Sequence, residues 1–501
     1  MLKRLRQTVA VAVIVLISLL FLDFTGTVHQ WFGWLAKIQF LPALLALNVG
    51  VVVGLIMLTL LFGRLYCSVI CPLGIMQDGF GWLGKKARKN RYRYSPAKNI
   101  LRYTMLAIMA AGIILGIGSL VALLAPYSAY GRMVQSLLSP LWQWGNNLLA
   151  GWAEEHDSYA FANVDIWMRG TATLTVAIVT LIIIAILAWR NGRTYCNTIC
   201  PVGTVLGFFA RFSWFKPVID TSKCNGCGLC ARNCKAACID SKTHSIDYSR
   251  CVDCMDCLEK CHQGAISYTR RRAVATAATT AEPSLAGDGA KTDASRRQFL
   301  GVTATIAATA TVKAQEKTVD GGLAVIADKK IPVRHTRIVP PGAVSLRNMA
   351  SHCTACQLCV SVCPNGVLRP STDILTLMQP ESSYERGYCR PECTKCSEVC
   401  PAGAIRPLTS AEKSATQIGH AVWVKDNCVP LTDGVECGNC ARHCPTGAIS
   451  MVPSDASNPD SVKIPVVNTE RCIGCGACEN LCPSRPFSAI YVEGHEVHRT
   501  I

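Results

Sequence analysis

"GRLYCSVICPLG", residues 63–74, closes one long apolar run, and "GRTYCNTICPVG", residues 192–203, closes another. Gly, Arg, Tyr, two Cys four residues apart, an Ile, a Pro and a final Gly recur in register. A pattern this long, appearing twice in one chain, is an internal repeat. On a helix, residues i and i+4 share a face, so Cys67 and Cys71 are expected to point one way, as are Cys196 and Cys200. Pro72 and Pro201 should break or redirect the chain just beyond.

The apolar runs around these repeats set the first domain. Residues 7–22, 38–63, 103–131 and 170–189 carry no charge. A bilayer span needs ~20 mostly apolar residues. The last three runs suffice, and the first continues past Asp23 into Phe24, so the sequence predicts a four-helix transmembrane domain over residues 1–215. Buried core helices of a soluble protein are the weaker alternative. The start "MLKRLRQ" is basic, residues 64–102 hold nine Lys or Arg against one Asp, and residues 126–169 hold two Arg against four acidic residues. Lys and Arg collect on the cytoplasmic side. The N-terminus and both repeats are therefore expected inside, in an inner, cytoplasmic membrane. The formal net charge of +17 reads as topology and lipid headgroup contact rather than nucleic-acid binding.

The chain has 29 cysteines, and after residue 220 they fall into six groups of four. The groups are Cys224, Cys227, Cys230 and Cys234; Cys251, Cys254, Cys257 and Cys261; Cys353, Cys356, Cys359 and Cys363; Cys389, Cys393, Cys396 and Cys400; Cys428, Cys437, Cys440 and Cys444; and Cys472, Cys475, Cys478 and Cys482. C-x2-C-x2-C-x3-C is the bacterial ferredoxin run for [4Fe–4S] clusters, in which the fourth Cys ligates the neighbouring cluster. Three closely spaced thiolates can hold three irons of one cube, while the fourth reaches to the next. Six [4Fe–4S] clusters are thus expected. Cys224, Cys227, Cys230 and Cys261 should hold one, and Cys251, Cys254, Cys257 and Cys234 its partner. Zinc is disfavoured by six successive runs of this kind, and disulfides by how little chain such close cysteines would constrain. Cys238 remains, either as a small apolar residue beside a cluster or as a substitute ligand. The proline usual after the fourth Cys is missing from the first two groups, where Lys235 and His262 stand.

These groups divide the rest of the chain. Residues 216–272 are expected to form a two-cluster ferredoxin in the cytoplasm. Residues 273–315 read as a linker, poor in apolar bulk, followed by "SRRQFLGVTATIAATATVKAQ". Twin arginines, a short uncharged run and a small-residue end are features of an export signal, with Ala314 ending a candidate cleavage site. An interfacial helix is the alternative. Residues 316–501 are expected to be an exoplasmic, periplasmic four-cluster module, so the chain is multidomain, its helical domain followed by α+β ferredoxin-like modules. "GAIS" (264–267), "GAIR" (403–406) and "GAIS" (447–450) each read as a turn entering a short strand.

The two "YCxxICP" copies and the first two cysteine groups resemble the NapH-type membrane ferredoxins of periplasmic nitrate reductase. "RRQFLG", "VPPGAVS", the last four groups, "GHAVWVKDNC" and "RPFSAIYVEGHEVHR" resemble the exported NapG and methylamine-utilisation ferredoxins. This chain would fuse the two. The resemblance implies that group three pairs with six and four with five. Cys353, Cys356, Cys359 and Cys482 would then share a cluster, as would Cys472, Cys475, Cys478 and Cys363. Likewise Cys389, Cys393, Cys396 and Cys444 would be set against Cys428, Cys437, Cys440 and Cys400.

Three roles stand open for Cys67, Cys71, Cys196 and Cys200: a four-thiolate metal or cluster site, a redox dithiol taking electrons from quinol, or thiols that only pack. Arg64 and Arg193 read either as headgroup anchors or as groups favouring thiolate. No His lies in the four apolar runs and no C-x-x-C-H occurs, so haem lacks obvious ligands. No phosphate-cradling glycine loop stands out. The expected function is relay of electrons from membrane quinol to an exoplasmic acceptor, which the resemblance identifies as a molybdenum reductase or c-type cytochrome. A maturation factor for a respiratory metalloenzyme is the alternative, and an inert scaffold does not suit 24 ligand cysteines. With one ferredoxin inside and one outside, the repeat cysteines at one membrane edge leave a gap for electrons to cross.

Overall fold

The computed structural model describes residues 2–23, 25–88, 92–158, 161–164, 166, 170–270 and 327–501. The expected linker, the twin arginines and Ala314 lie outside these residues. In the first domain the helices used below are α1 (Leu2–Leu22), α2 (Val49–Phe62), α3 (Leu65–Val69), α4 (Pro72–Arg88), α5 (Asn99–Leu115), α6 (Pro126–Met133), α7 (Thr171–Asn191), α8 (Thr194–Thr198) and α9 (Pro201–Ala210). Among the described residues only α1 and α7 are long and apolar enough to cross a bilayer. The run at 38–63 is divided into Phe40–Leu45 and α2, with Leu47 at positive φ between them. The run at 103–131 breaks at Gly116, so neither forms the single long helix expected. The outward surface is nonetheless apolar. Val9, Val11 and Val15 on α1, Val53 and Met57 on α2, and Ile178, Ile182 and Ile186 on α7 are all exposed. The interior holds the polar groups, including Arg64, Arg132, Arg193 and Gln77.

Each repeat is built the same way. A long helix ends at a glycine with positive φ, Gly63 at 72° and Gly192 at 68°. A five-residue helix follows, and a proline opens the next helix (α4 or α9). Proline is favoured there because a helix's first N–H has no partner to lose. The two repeats are interlocked: α4 packs on α7, and α9 packs on α2.

The first ferredoxin module pairs β1 (Phe215–Ile219) with β4 (Ile266–Arg270) and β2 (Ile239–Asp240) with β3 (Ser245–Ile246), around helices α10 (Leu229–Asn233) and α11 (Asp256–Lys260). The second contains α12 (Leu346–His352), α13 (Leu358–Ser361), α14 (Lys395–Val399), α15 (Asn439–Arg442) and α16 (Ala477–Leu481). Its antiparallel pairs are β5 (Leu368–Pro370) with β6 (Pro380–Ser382), β8 (Ile449–Asp455) with β9 (Asn458–Val467), and β7 (Thr416–Trp423) with β10 (Ile490–Thr500). Gly264, Gly403 and Gly447 all have positive φ. The first and third lead into β4 and β8 as expected. The second does not enter a strand, because Arg406 N–H bonds instead to the carbonyl of Gly342 at 2.9 Å.

The modules dock at opposite ends of α1. Lys3 pairs with Asp256 of the first module at 3.2 Å. Phe21 lies against Gly131, which abuts the Cys356 carbonyl of the second. Eighteen residues separate Lys3 from Phe21, about 27 Å of helix rise.

Candidate iron–sulfur and thiol sites

Three local hairpins decide which cysteines meet. β2–β3 lies between groups one and two, β5–β6 between three and four, and β8–β9 between five and six. Each folds a group back onto its sequence neighbour: α10 packs on α11, α13 on α14, and α15 on α16. Short closures are the less costly ones.

Cys224, Cys227, Cys230 and Cys261 line one cavity of about 260 Å³. Cys234, Cys251, Cys254 and Cys257 line a second, together with Cys238. The structure thus gathers the two quartets that the ferredoxin spacing predicts. The Cys238 thiol is buried 3.5 Å from that of Cys234, which places it beside the second quartet as an additional thiol.

In the second module the pairing implied by the resemblance is overturned. The Cys359 thiol lies near Cys353, Cys356 and Cys400, with Cys396 of the adjoining quartet next, so Cys400 takes the place expected of Cys482. Cys363, Cys389, Cys393 and Cys396 share a cavity, so Cys363 belongs with group four instead of group six. The Cys440 thiol lies near Cys428, Cys437 and Cys482, and Cys475 near Cys472 and Cys444, with Cys389 of the other pair next. Groups three and four form one pair, and five and six the other. The physical reason is the hairpin within each pair. The pairs are joined at Cys389, whose N–H donates to the Cys475 carbonyl at 2.9 Å. In donor type and grouping, the 24 cysteines fit six four-thiolate iron–sulfur centres.

The repeat cysteines also converge. Cys200 faces Cys67, Cys71 and Cys196, and all four are buried. They do not lie in pairs on one helix, as i, i+4 spacing suggests: Cys67 is in α3, whereas Cys71 follows its end and precedes Pro72. The helix start bonds sulfur, with Gly203 N–H donating to Cys200 Sγ at 3.4 Å. Arg64 and Arg193 are only 0% and 1% exposed, which excludes the headgroup-anchor reading. Arg64 Nη2 lies 3.7 Å from Cys67 Sγ, and Arg193 Nη1 lies 4.0 Å from Cys196 Sγ. Arg64 Nε and Arg193 Nη2 have no hydrogen-bond partner. Four buried thiols between two buried cations fit an anionic, thiolate-ligated centre.

The first ferredoxin module seals this site. Gly63 abuts the Asp253 carboxylate so closely that a Cβ would come within 2.2 Å of it. Burial pushes the Asp253 carboxyl up to about 7, against the pull of the Arg64 N–H that it accepts. Arg193 N–H donates to the Lys235 carbonyl at 2.7 Å, and Lys235 Nζ pairs with Asp78 at 3.0 Å and Asp256 at 3.2 Å. The residue standing where proline is usual is thus a docking residue. Asp78, Gln77 and Arg132 were missed by the sequence reading. Asp78 had one available signal, as the single acid in a basic loop.

Two further features connect the thiol site to the second module. Tyr195 lies within electrostatic range of Cys196, Cys200 and Arg132. Arg132 Nη1 donates to the Ala355 carbonyl at 3.4 Å, next to Cys356.

Residues 44–91 and 173–220 match the family described as a 4Fe-4S binding domain, and these segments enclose the two repeats. Residues 435–485 match a 4Fe-4S dicluster domain, in keeping with the pairing of groups five and six. A third match, also to a 4Fe-4S dicluster domain, runs over residues 247–367 and bridges groups that the structure assigns to separate modules. The chain is similar to an uncharacterized protein of Methanocaldococcus jannaschii, 38% identical over 19% of this chain and 38% of that protein. It is 26% identical to the ferredoxin-type protein NapH of Escherichia coli strain K12, over 46% of this chain and 70% of NapH. It is 25% identical to the methylamine utilization ferredoxin-type protein MauN of Paracoccus denitrificans, over 38% of this chain and 54% of MauN. No solved structure matches. The NapH-type relationship therefore holds over just under half of the chain, the matched segments carry 4Fe–4S binding domains, and the chain spans only about half the length of several of these relatives.

Proposed function

We propose that this chain, a relative of the NapH-type ferredoxin proteins, is a membrane electron conduit. It takes electrons from quinol and passes them to an exoplasmic acceptor, a molybdenum reductase or a c-type cytochrome. The observation that supports this most is the docking of two cysteine-rich modules at opposite ends of one helical domain with an apolar outer surface, with four converging thiols between them. In this reading α1 and α7 cross the bilayer, joined by the broken helices, with residues 216–272 cytoplasmic and 316–501 exoplasmic. Six centres are held by the quartets described above. A seventh is held by Cys67, Cys71, Cys196 and Cys200, supported by the 4Fe-4S family match to both repeats. When bound, these centres supply one-electron transfer.

The chain's own residues provide the setting. Asp253 and Lys235 hold the first module against the repeats and keep water from the four thiols. Arg64 and Arg193 balance thiolate charge there. Tyr195 and Arg132 span the interior between the thiol site and the Cys356 loop, which addresses the gap between the two membrane faces. The test is anaerobic EPR of the full-length protein before and after duroquinol. New signals of reduced [4Fe–4S] centres are expected, and Cys67→Ser and Cys196→Ser should suppress them. Clusters that dithionite reduces but duroquinol leaves oxidised would overturn the reading and bring a maturation role forward.

A further inference from the structure

Between α1, α4 and the first ferredoxin module lies a cavity of about 480 Å³. Its position has two characters. Ala10, Val11, Ile75 and Trp82 give it apolar walls, and Val11 and Trp82 are also exposed on the outer surface. Gln77 and Asp78 also line it, together with five cationic side chains, among them Lys3, Arg6 and Lys85. A cavity of this size, mostly apolar with a few convergent polar groups, suits a small amphiphilic ligand.

Gln77 connects the cavity to the thiol site. It is 1% exposed, and its Nε2 donates to Cys196 Sγ at 3.2 Å. Its Oε1 has no hydrogen-bond partner. A buried carbonyl left without a donor is costly; the atom is closed off as the chain stands, and a turn of the amide towards the cavity would bring it to a ring hydroxyl. Asp78 is held by Arg193 at 2.6 Å, Lys235 at 3.0 Å and Arg6 at 3.4 Å. Its charge is thus already compensated, and the remaining lysines of the lining make the polar part net positive, so a phenolic ring and an anionic headgroup are the two ligand chemistries that the test below must separate.

We infer that this cavity is the quinol-binding site, the ring hydroxyl donating to Gln77 and the isoprenoid tail leaving past Val11 and Trp82 into lipid. The inference rests on the conduit reading and names its entry point. Oxidation there converts one quinol to quinone with loss of two electrons and two protons. The electrons pass singly to the iron–sulfur oxidant at the adjacent thiols, and the protons pass to water at the cavity mouth.

The test uses the full-length protein in detergent with two readouts. An azidoquinone photolabel should mark peptides of α1 or α4, and excess duroquinol should protect them. Val11→Trp and Gln7→Trp, which fill the mouth from exposed positions, should each slow duroquinol-driven cluster reduction at least tenfold, while dithionite reduces both variants as it does the parent. If duroquinol reduces the parent and both variants equally, or the label maps elsewhere, this cavity is not the site although the conduit stands. If duroquinol never reduces the parent but the label maps here, the site stands and the conduit reading fails. Label displaced by anionic lipid vesicles, but not by duroquinol, would make the cavity a headgroup site and overturn the inference.

Discussion

Arg193 Nη1 donates to the carbonyl oxygen of Cys67 at 2.7 Å, reaching from the second repeat into the first. Arg64 Nη2 makes the converse bond to the Cys196 carbonyl at 3.1 Å. Each arginine passes where a Cβ would not fit, beside Gly74 or Gly203. The Gly and Arg of the repeat are therefore one device that clasps the two copies together. Arg193 also holds Asp78, so Arg193→Ala leaves that carboxylate with reduced compensation. Removing one partner of a buried pair costs about 3–5 kcal/mol. The thermal midpoint of the protein in detergent should fall accordingly, and Arg193→Lys, which keeps a cation beside Asp78, should recover most of the loss. No recovery would show that the Cys67 bond, not the ion pair, dominates.

Gly63→Ala should undock the first ferredoxin module. The added Cβ meets Asp253 Oδ2 at 2.2 Å, and the backbone is at a positive φ. Overpacking of this kind costs roughly 1–3 kcal/mol. Gly54→Ala is the comparison: it lies within α2, and its Cβ would meet nothing within 4 Å. There, better helix propensity should stabilise by up to about 1 kcal/mol. Opposite shifts in melting temperature are expected, and equal shifts would sink the docking assignment.

The repeats, the ferredoxin spacing and the quartets of the first module were legible in the sequence because local spacing encodes them. The burial of Arg64 and Arg193 was not, because it arises only when the repeats interlock. Lys235 looked like a flaw in a ferredoxin run, yet its carbonyl and ammonium both serve a contact with residues far away in the sequence. The pairing of groups three to six was misread through a family resemblance. The β5–β6 and β8–β9 hairpins set it, and neither hairpin was anticipated. Continuous apolar runs suggested continuous spans, but a run without charge still permits the breaks at Leu47 and Gly116.

The neighbours of Cys482 give a direct check on that pairing. It lies with Cys428, Cys437 and Cys440. In Cys482→Ser the Mössbauer and EPR changes should therefore match those of Cys437→Ser and differ from those of Cys356→Ser. A match to Cys356→Ser would restore the pairing of groups three and six.

Iron content tests the thiol site independently of electron flow. Seven four-iron centres correspond to ~28 Fe per chain. Replacing Cys67, Cys71, Cys196 and Cys200 together by Ser should lower this to ~24 while the ferredoxin signals persist. An unchanged iron content, measured against quantitative amino-acid analysis, would leave these thiols as a dithiol pair or as packing.

His498 should make the second module acid-sensitive apart from its clusters. It sits on β10, where its N–H bonds to the Val344 carbonyl at 2.8 Å, and neither ring nitrogen has a hydrogen-bond partner. Burial, with the nearby His495, pushes its imidazole down to about 4, below the ~6.5 of an unfolded histidine. Between these values the unfolded chain binds a proton that the folded chain refuses, so stability falls as the pH drops from about 6.5 towards 4. Above 6.5 the ring is neutral in both states and the effect vanishes. His498→Leu removes the titration while retaining apolar bulk. The difference in melting temperature between parent and variant should shift in favour of the variant as the pH falls from 7 to 5. A difference independent of pH would show that the parent ring is already protonated, or solvated, in the folded state.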